Sequence, residues 1–118
     1  MATIKSYTDL EQSKKLAKIL PLESADMFWY RDSVTKEANP RIMNCMQVPE
    51  LQSMYYSPCW SLAALLGVLP EIQGGKPVIA LDDNYITYPH ISNLYTKTDN
   101  IVDTCYKMIL KLSELNLL

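Results

Sequence analysis

The sequence holds a single histidine, His90, and three cysteines, Cys45, Cys59 and Cys105, none of them in a C-x-x-C spacing. That argues against a zinc site or dithiol redox centre built on paired cysteines, and the widely spaced thiols read as free cysteines among apolar neighbours. Long hydrophobic runs are also missing. The longest, Leu62 to Leu69, falls far short of the ~18 residues of a membrane-spanning helix, so no membrane association is expected. Met1 to Lys15 contains no apolar stretch followed by a small-residue cleavage site, so no secretory signal is read there and the expected location is cytoplasmic. Nor does charge of one sign dominate: eleven basic and thirteen acidic side chains leave a net charge of -2. The densest basic group, Lys14, Lys15 and Lys18, falls on the polar face of a predicted helix, and duplex nucleic-acid binding is not expected from it. No internal repeat is visible, which sets a solenoid aside.

What is present suits one domain over residues 1–118, since 48% of the chain is hydrophobic, enough for a single core. Thr8 followed by Glu11 has the spacing of a capping box and predicts a helix from about Asp9 to Leu20, with Leu10, Leu16, Ala17, Ile19 and Leu20 inward. Ala25 to Arg31 is short and aromatic and reads as a strand whose rings pack. After a polar stretch ending in Asn39-Pro40, Arg41 to Val48 reads as a strand pairing back. Ser57-Pro58 has the form of an N-cap followed by a first-turn proline, which predicts a central buried helix ending near Gly67. Pro77 to Leu81, the turn Asp82-Asp83-Asn84 and Tyr85 to Tyr88 read as a hairpin, with a further strand over Ile91 to Lys97. A final helix capped by Asp99 or Asn100 carries Ile101, Cys105, Met108, Leu112 and Leu115 at three- and four-residue spacing, with Val102 and Ile109 widening the stripe. The resulting fold class is α+β: a small, mainly antiparallel sheet of four to five strands with three helices packed on it.

Chemistry-bearing residues are few. Cys59, placed just inside a predicted helix N-terminus where backbone donors lower a thiol pKa, and His90, a general base if within reach, form the one nucleophile pair to weigh. They motivate the alternative of a small hydrolase or transferase, against the plainer reading of Cys59 as a core residue and His90 as a strand end. Asp82 and Asp83 are explained by their turn, and the methionines Met43, Met46 and Met54 by gap-filling. Gly74-Gly75-Lys76 lacks the first glycine and the hydroxyl residue of a phosphate loop. No metal or cofactor is expected.

Ten of the eleven aromatics are tyrosine or tryptophan, amphipathic rings of the kind found in pockets and interfaces. Tyr30, Tyr55, Tyr56, Tyr85 and Tyr88 are the candidate ligand-binding residues, able to stack on a nucleobase or anchor a partner if the fold gathers them.

Three segments, SYTDLEQSKKLA at 6–17 with LPLESADM at 20–27, PCWSLAALLGVLP at 58–70, and residues 101–118, resemble small proteins of Bacteroides-type gut bacteria and their phages or integrated elements. That family has no assigned activity, so the resemblance implies a genomic setting and transfers no functional residue. The expected function is a non-catalytic binding protein, a phage or mobile-element accessory factor that captures a small nucleotide-like ligand or a host protein. A homo-oligomeric structural component is a further alternative, suggested by the apolar Leu115, Leu117 and Leu118.

Overall fold

A computed structural model describes residues 5–31, 38–42 and 56–118. The element order is α1 (Leu10–Leu16), a 3-10 turn (Leu22–Ser24), β1 (Met27–Arg31), β2 (Ala38–Ile42), β3 (Tyr56–Cys59), α2 (Leu62–Val68), β4 (Val78–Ala80), β5 (Tyr85–Thr87), β6 (Tyr95–Lys97) and α3 (Ile101–Glu114). The class is α+β as expected. The expected single sheet of four to five strands is matched only roughly, because the described residues form two three-stranded antiparallel sheets, ordered β2-β1-β3 and β4-β5-β6.

The helix expected at Ser57-Pro58 is a strand. Ser57 and Pro58 pair with Trp29 and Phe28 of β1, and α2 starts four residues later with Ser61 as its N-cap. A proline is tolerated there because β3 is an edge strand, as is β2, which carries Pro40 opposite Trp29. Ser61 is fixed for the capping role from outside its helix: Asp26 accepts its backbone N–H at 2.9 Å and its hydroxyl as well. The cap is Ser61, not the expected Ser57, because pairing with β1 holds Ser57 in a strand.

The first capping box is displaced by one residue. Asp9 caps α1 and Gln12 reaches back to the Asp9 N–H, because Thr8 is fully buried and used elsewhere. Its backbone N–H donates to Trp60 O at 3.0 Å, and its Oγ1 accepts from Trp60 N–H at 3.2 Å and pairs with Ser13 Oγ at 2.7 Å. Of the expected inward face of α1, Leu16 and Leu20 are buried while Ala17 is exposed.

The central buried helix is α3, not α2. Val102, Cys105, Met108, Ile109 and Leu112 are all fully buried, whereas only Leu65 is fully buried in α2. Leu115, expected on the same stripe, is 52% exposed because it lies beyond the last turn. One side of α3 packs on α2 and another on β5 and β6, where Ile86 and Thr96 face it. The hairpin forms as read, β4 and β5 joined through residues 81–84 with Asn84 at φ 53°, a conformation asparagine tolerates better than most residues.

Asn100 is the cap of α3. Its side-chain oxygen accepts from Asp103 N–H at 2.8 Å, its amide donates to Asp103 Oδ2 at 2.9 Å, and it is 5% exposed. Asn100→Ala removes both bonds and is expected to cost about 1–2 kcal/mol, read as a lower urea midpoint with an unchanged slope. An unchanged midpoint would show that Thr98 and Thr104 hold this turn without it.

Candidate functional site

The amino-terminal segment reaches the site by pairing across the chain. Tyr7 forms a bridge with Ser61, and Leu62 N–H donates to Ser6 O at 3.0 Å, which lays residues 6–8 beside the end of β3. On the central strand β1, Phe28 is buried and its neighbour Trp29 is half-buried. The Trp29 indole N–H donates to Thr8 O at 3.2 Å and Ser13 Oγ at 3.1 Å, which fixes the ring. Tyr7 meets it edge-to-face, with centroids 5.9 Å apart at 73°. Together with Lys5, Ser6 and Asp9 these rings line a cleft of about 290 Å³.

Lys5 closes one end. Its Nζ donates to Asp103 Oδ1 at 2.7 Å, Gln12 Oε1 at 2.8 Å and Asp9 Oδ2 at 3.2 Å, linking residues 98 positions apart. Gln12 Nε2 donates to the same Asp103 oxygen at 2.8 Å. Burial by itself would raise the Asp103 carboxyl, but the hydrogen bonds from Lys5, Gln12 and Asn100 and the Lys5 charge outweigh it, so the net shift is downward and the carboxylate form is favoured. Beyond this network lies a second cleft of about 320 Å³, lined by Gln12, Thr98, Asp99, Asp103, Tyr106 and Lys107.

The residues singled out from the sequence are dispersed. Cys59 is fully buried on β3 with its Sγ 3.5 Å from Thr8 O and 3.7 Å from Thr8 Oγ1. Burial pushes its thiol pKa up, the reverse of what a helix N-terminus would do, because the helix starts downstream. His90 is exposed, its Nε2 2.6 Å from Ile72 O and its ring edge-on to Tyr88. That ring lies so close over Gly75 that a Cβ there would fall on it. Cys59 and His90 therefore have separate hydrogen-bond partners and do not form the nucleophile–base contact.

Tyr88 is fully buried, its hydroxyl donating to Pro70 O at 2.7 Å, and desolvation raises its pKa to about 12. Tyr85 is half-buried with its ring 6.0 Å from that of Tyr95. Tyr30 and Tyr56 are cross-strand partners in the other sheet, and Tyr55 lies outside the described residues. The named tyrosines thus divide between two sheets, and the cleft is walled by Tyr7 and Trp29 instead. From the sequence Trp29 is only one of the packing rings of its strand, and Tyr7 and Lys5 carry no local signal, because long-range pairing brings them there.

Among the described residues no group of three or more histidine, cysteine, aspartate or glutamate side chains could hold a metal ion, and no helix is long and apolar enough to cross a membrane. Comparison with family models, curated proteins and solved structures finds no match to this chain.

Proposed function

We propose that the protein is a non-catalytic binding protein that captures a small planar ligand of nucleoside type in the Tyr7–Trp29 cleft. In the setting implied by the resemblance of its three segments, it acts as a phage or mobile-element accessory factor in the host cytoplasm. The observation that carries the reading is the edge-to-face Tyr7–Trp29 wall with Lys5, Ser6 and Asp9 on its rim. Stacking a base on an aromatic ring is worth about 1–3 kcal/mol, and the rim supplies donors and acceptors that orient it. Trp29 is held by two hydrogen bonds through its indole nitrogen, so the ring needs little ordering on binding.

Charge selects the form of the ligand. One ammonium, Lys5, stands among two carboxylates, Asp9 and Asp103, so a phosphate meets net repulsion while a neutral or protonated ring does not. The test is titration with adenosine, guanosine, cytidine and uridine and with their 5′-monophosphates, followed by tryptophan fluorescence and calorimetry. At least one nucleoside is expected to saturate the protein and bind more tightly than its monophosphate, and Trp29→Leu to weaken it by about tenfold or more. Absence of saturable binding by any of them, or binding untouched by Trp29→Leu, overturns the reading.

A further inference from the structure

The polar side chains around the Tyr7–Trp29 cleft are unevenly committed. An ammonium has three donors, and Lys5 uses all of them within the protein, on Asp103 Oδ1 at 2.7 Å, Gln12 Oε1 at 2.8 Å and Asp9 Oδ2 at 3.2 Å. The Trp29 indole N–H, the other nitrogen donor among the side chains of the cleft, is shared between Thr8 O and Ser13 Oγ. Neither group is left for a ligand. Gln12 donates to Asp103 and accepts from Lys5 and the Asp9 N–H, so it too is engaged.

Among the described residues of the rim, Asp9 is the exception. A carboxylate offers about four lone-pair sites, and the protein takes one on each oxygen, Oδ1 accepting from the Gln12 N–H at 2.8 Å and Oδ2 from Lys5. One acceptor site remains on each. The Asp9 side chain is 53% exposed against 20% for Lys5, so of the two charged groups lining the cleft it is the one a ligand meets. A ring seated there is therefore matched by two adjacent donors on its edge. Among the neutral bases only guanine has them, N1–H beside the 2-amino group. Adenine and cytosine place one amino donor beside an acceptor nitrogen, and uracil one N–H between two carbonyls, so each turns a lone pair on the carboxylate. The remaining polar atom of that guanine edge, the carbonyl O6, needs a donor, and the Ser6 hydroxyl on the same rim is one.

We propose that the cleft selects guanine, and that Asp9 is the residue that does so, its two oxygens accepting from N1–H and the 2-amino group of a ring stacked against Tyr7 and Trp29. The inference rests on the nucleoside reading of the cleft and adds the identity of the base. The contacts that cap α1 also orient the carboxylate: the Gln12 N–H fixes one oxygen and Lys5 the other, so little freedom is lost when a base pairs with it.

Calorimetric titration of the full chain with guanosine, inosine, 1-methylguanosine, adenosine, cytidine and uridine tests this. Guanosine is expected to bind about tenfold or more tightly than adenosine, cytidine or uridine. Inosine, which lacks the 2-amino donor, should fall between them, and 1-methylguanosine, which carries a methyl group in place of N1–H, should bind no better than adenosine. Asp9→Asn keeps a side-chain oxygen for the Gln12 N–H, and asparagine caps a helix as well as aspartate does, so the variant keeps the fold, checked by circular dichroism. It sets an amide donor where Oδ2 stood and is expected to abolish the preference for guanosine. Guanosine bound no more tightly than 1-methylguanosine or adenosine, or a preference that persists in Asp9→Asn, overturns the inference. The cleft reading survives that result if binding is still weakened by Trp29→Leu, whereas no saturable binding by any of these nucleosides removes both.

Discussion

Trp60→Ala is expected to destabilise the protein by about 3–5 kcal/mol, a large part of the roughly 5–15 kcal/mol typical of a folded domain. Trp60 is fully buried at the junction between β3 and α2. Its indole N–H donates to Ser24 Oγ at 3.0 Å, its backbone N–H to Thr8 Oγ1, and its carbonyl accepts from Thr8 N–H. Truncation leaves a cavity that the flanking strand and helix cannot close, because Thr8 pins one side and the Ser61 cap the other. Trp60→Phe retains most of the volume and loses the bond to Ser24, so its expected cost is smaller, about 1–2 kcal/mol. Urea unfolding followed by circular dichroism separates the two. Equal losses would mean that the Ser24 hydrogen bond, not cavity formation, dominates.

Stability is expected to fall steeply above about pH 9, by about 1.4 kcal/mol per pH unit for each buried acid concerned. Cys105 is fully buried, and desolvation raises its thiol from 9.0 to about 12. In the unfolded chain that thiol ionises at its ordinary value, so between about 9 and 12 the unfolded state binds fewer protons than the folded state. The contribution is therefore intact below pH 9 and is lost as pH climbs through that window. Tyr88 adds the same trend from 10 to about 12, and the Cys59 thiol is shifted in the same direction by burial. Urea midpoints at half-unit steps from pH 8 to pH 11 check this, with Cys105→Ala as the comparison. The variant begins less stable, having lost a buried sulfur, but its stability should decline less steeply with pH. Identical slopes would remove Cys105 from the account.

The reading of the fold from the sequence succeeded where a signal is local. The α3 stripe, its cap, read as Asp99 or Asn100 and found at Asn100, and the β4–β5 hairpin turn are each fixed by residues within a few positions of one another. It failed where two local solutions compete. The reading placed the helix starts at Ser57-Pro58 and Thr8, whereas the caps are Ser61 and Asp9, because pairing with Phe28, Trp29 and Trp60 takes the expected residues elsewhere. The site suffered the same limit. Cys59 looked activated only while it was assigned to a helix end, and on a buried strand its thiol is made less acidic. Tyrosines close in type were grouped as one cleft, yet Tyr88 belongs to the core and Tyr30 and Tyr56 to the other sheet.

By itself the sequence determined the α+β class, the amphipathic carboxy-terminal helix, the hairpin and a supply of amphipathic rings, since each follows from spacing or composition within a short stretch. Only the tertiary structure decided that the described strands divide into two sheets, that Asp9 and Ser61 cap the first two helices, and that Lys5, Tyr7, Trp29 and Asp103 share one locality. The physical reason is distance along the chain. A contact such as Lys5 to Asp103 depends on the packing of every element between them, and no pattern in either residue's neighbours records it.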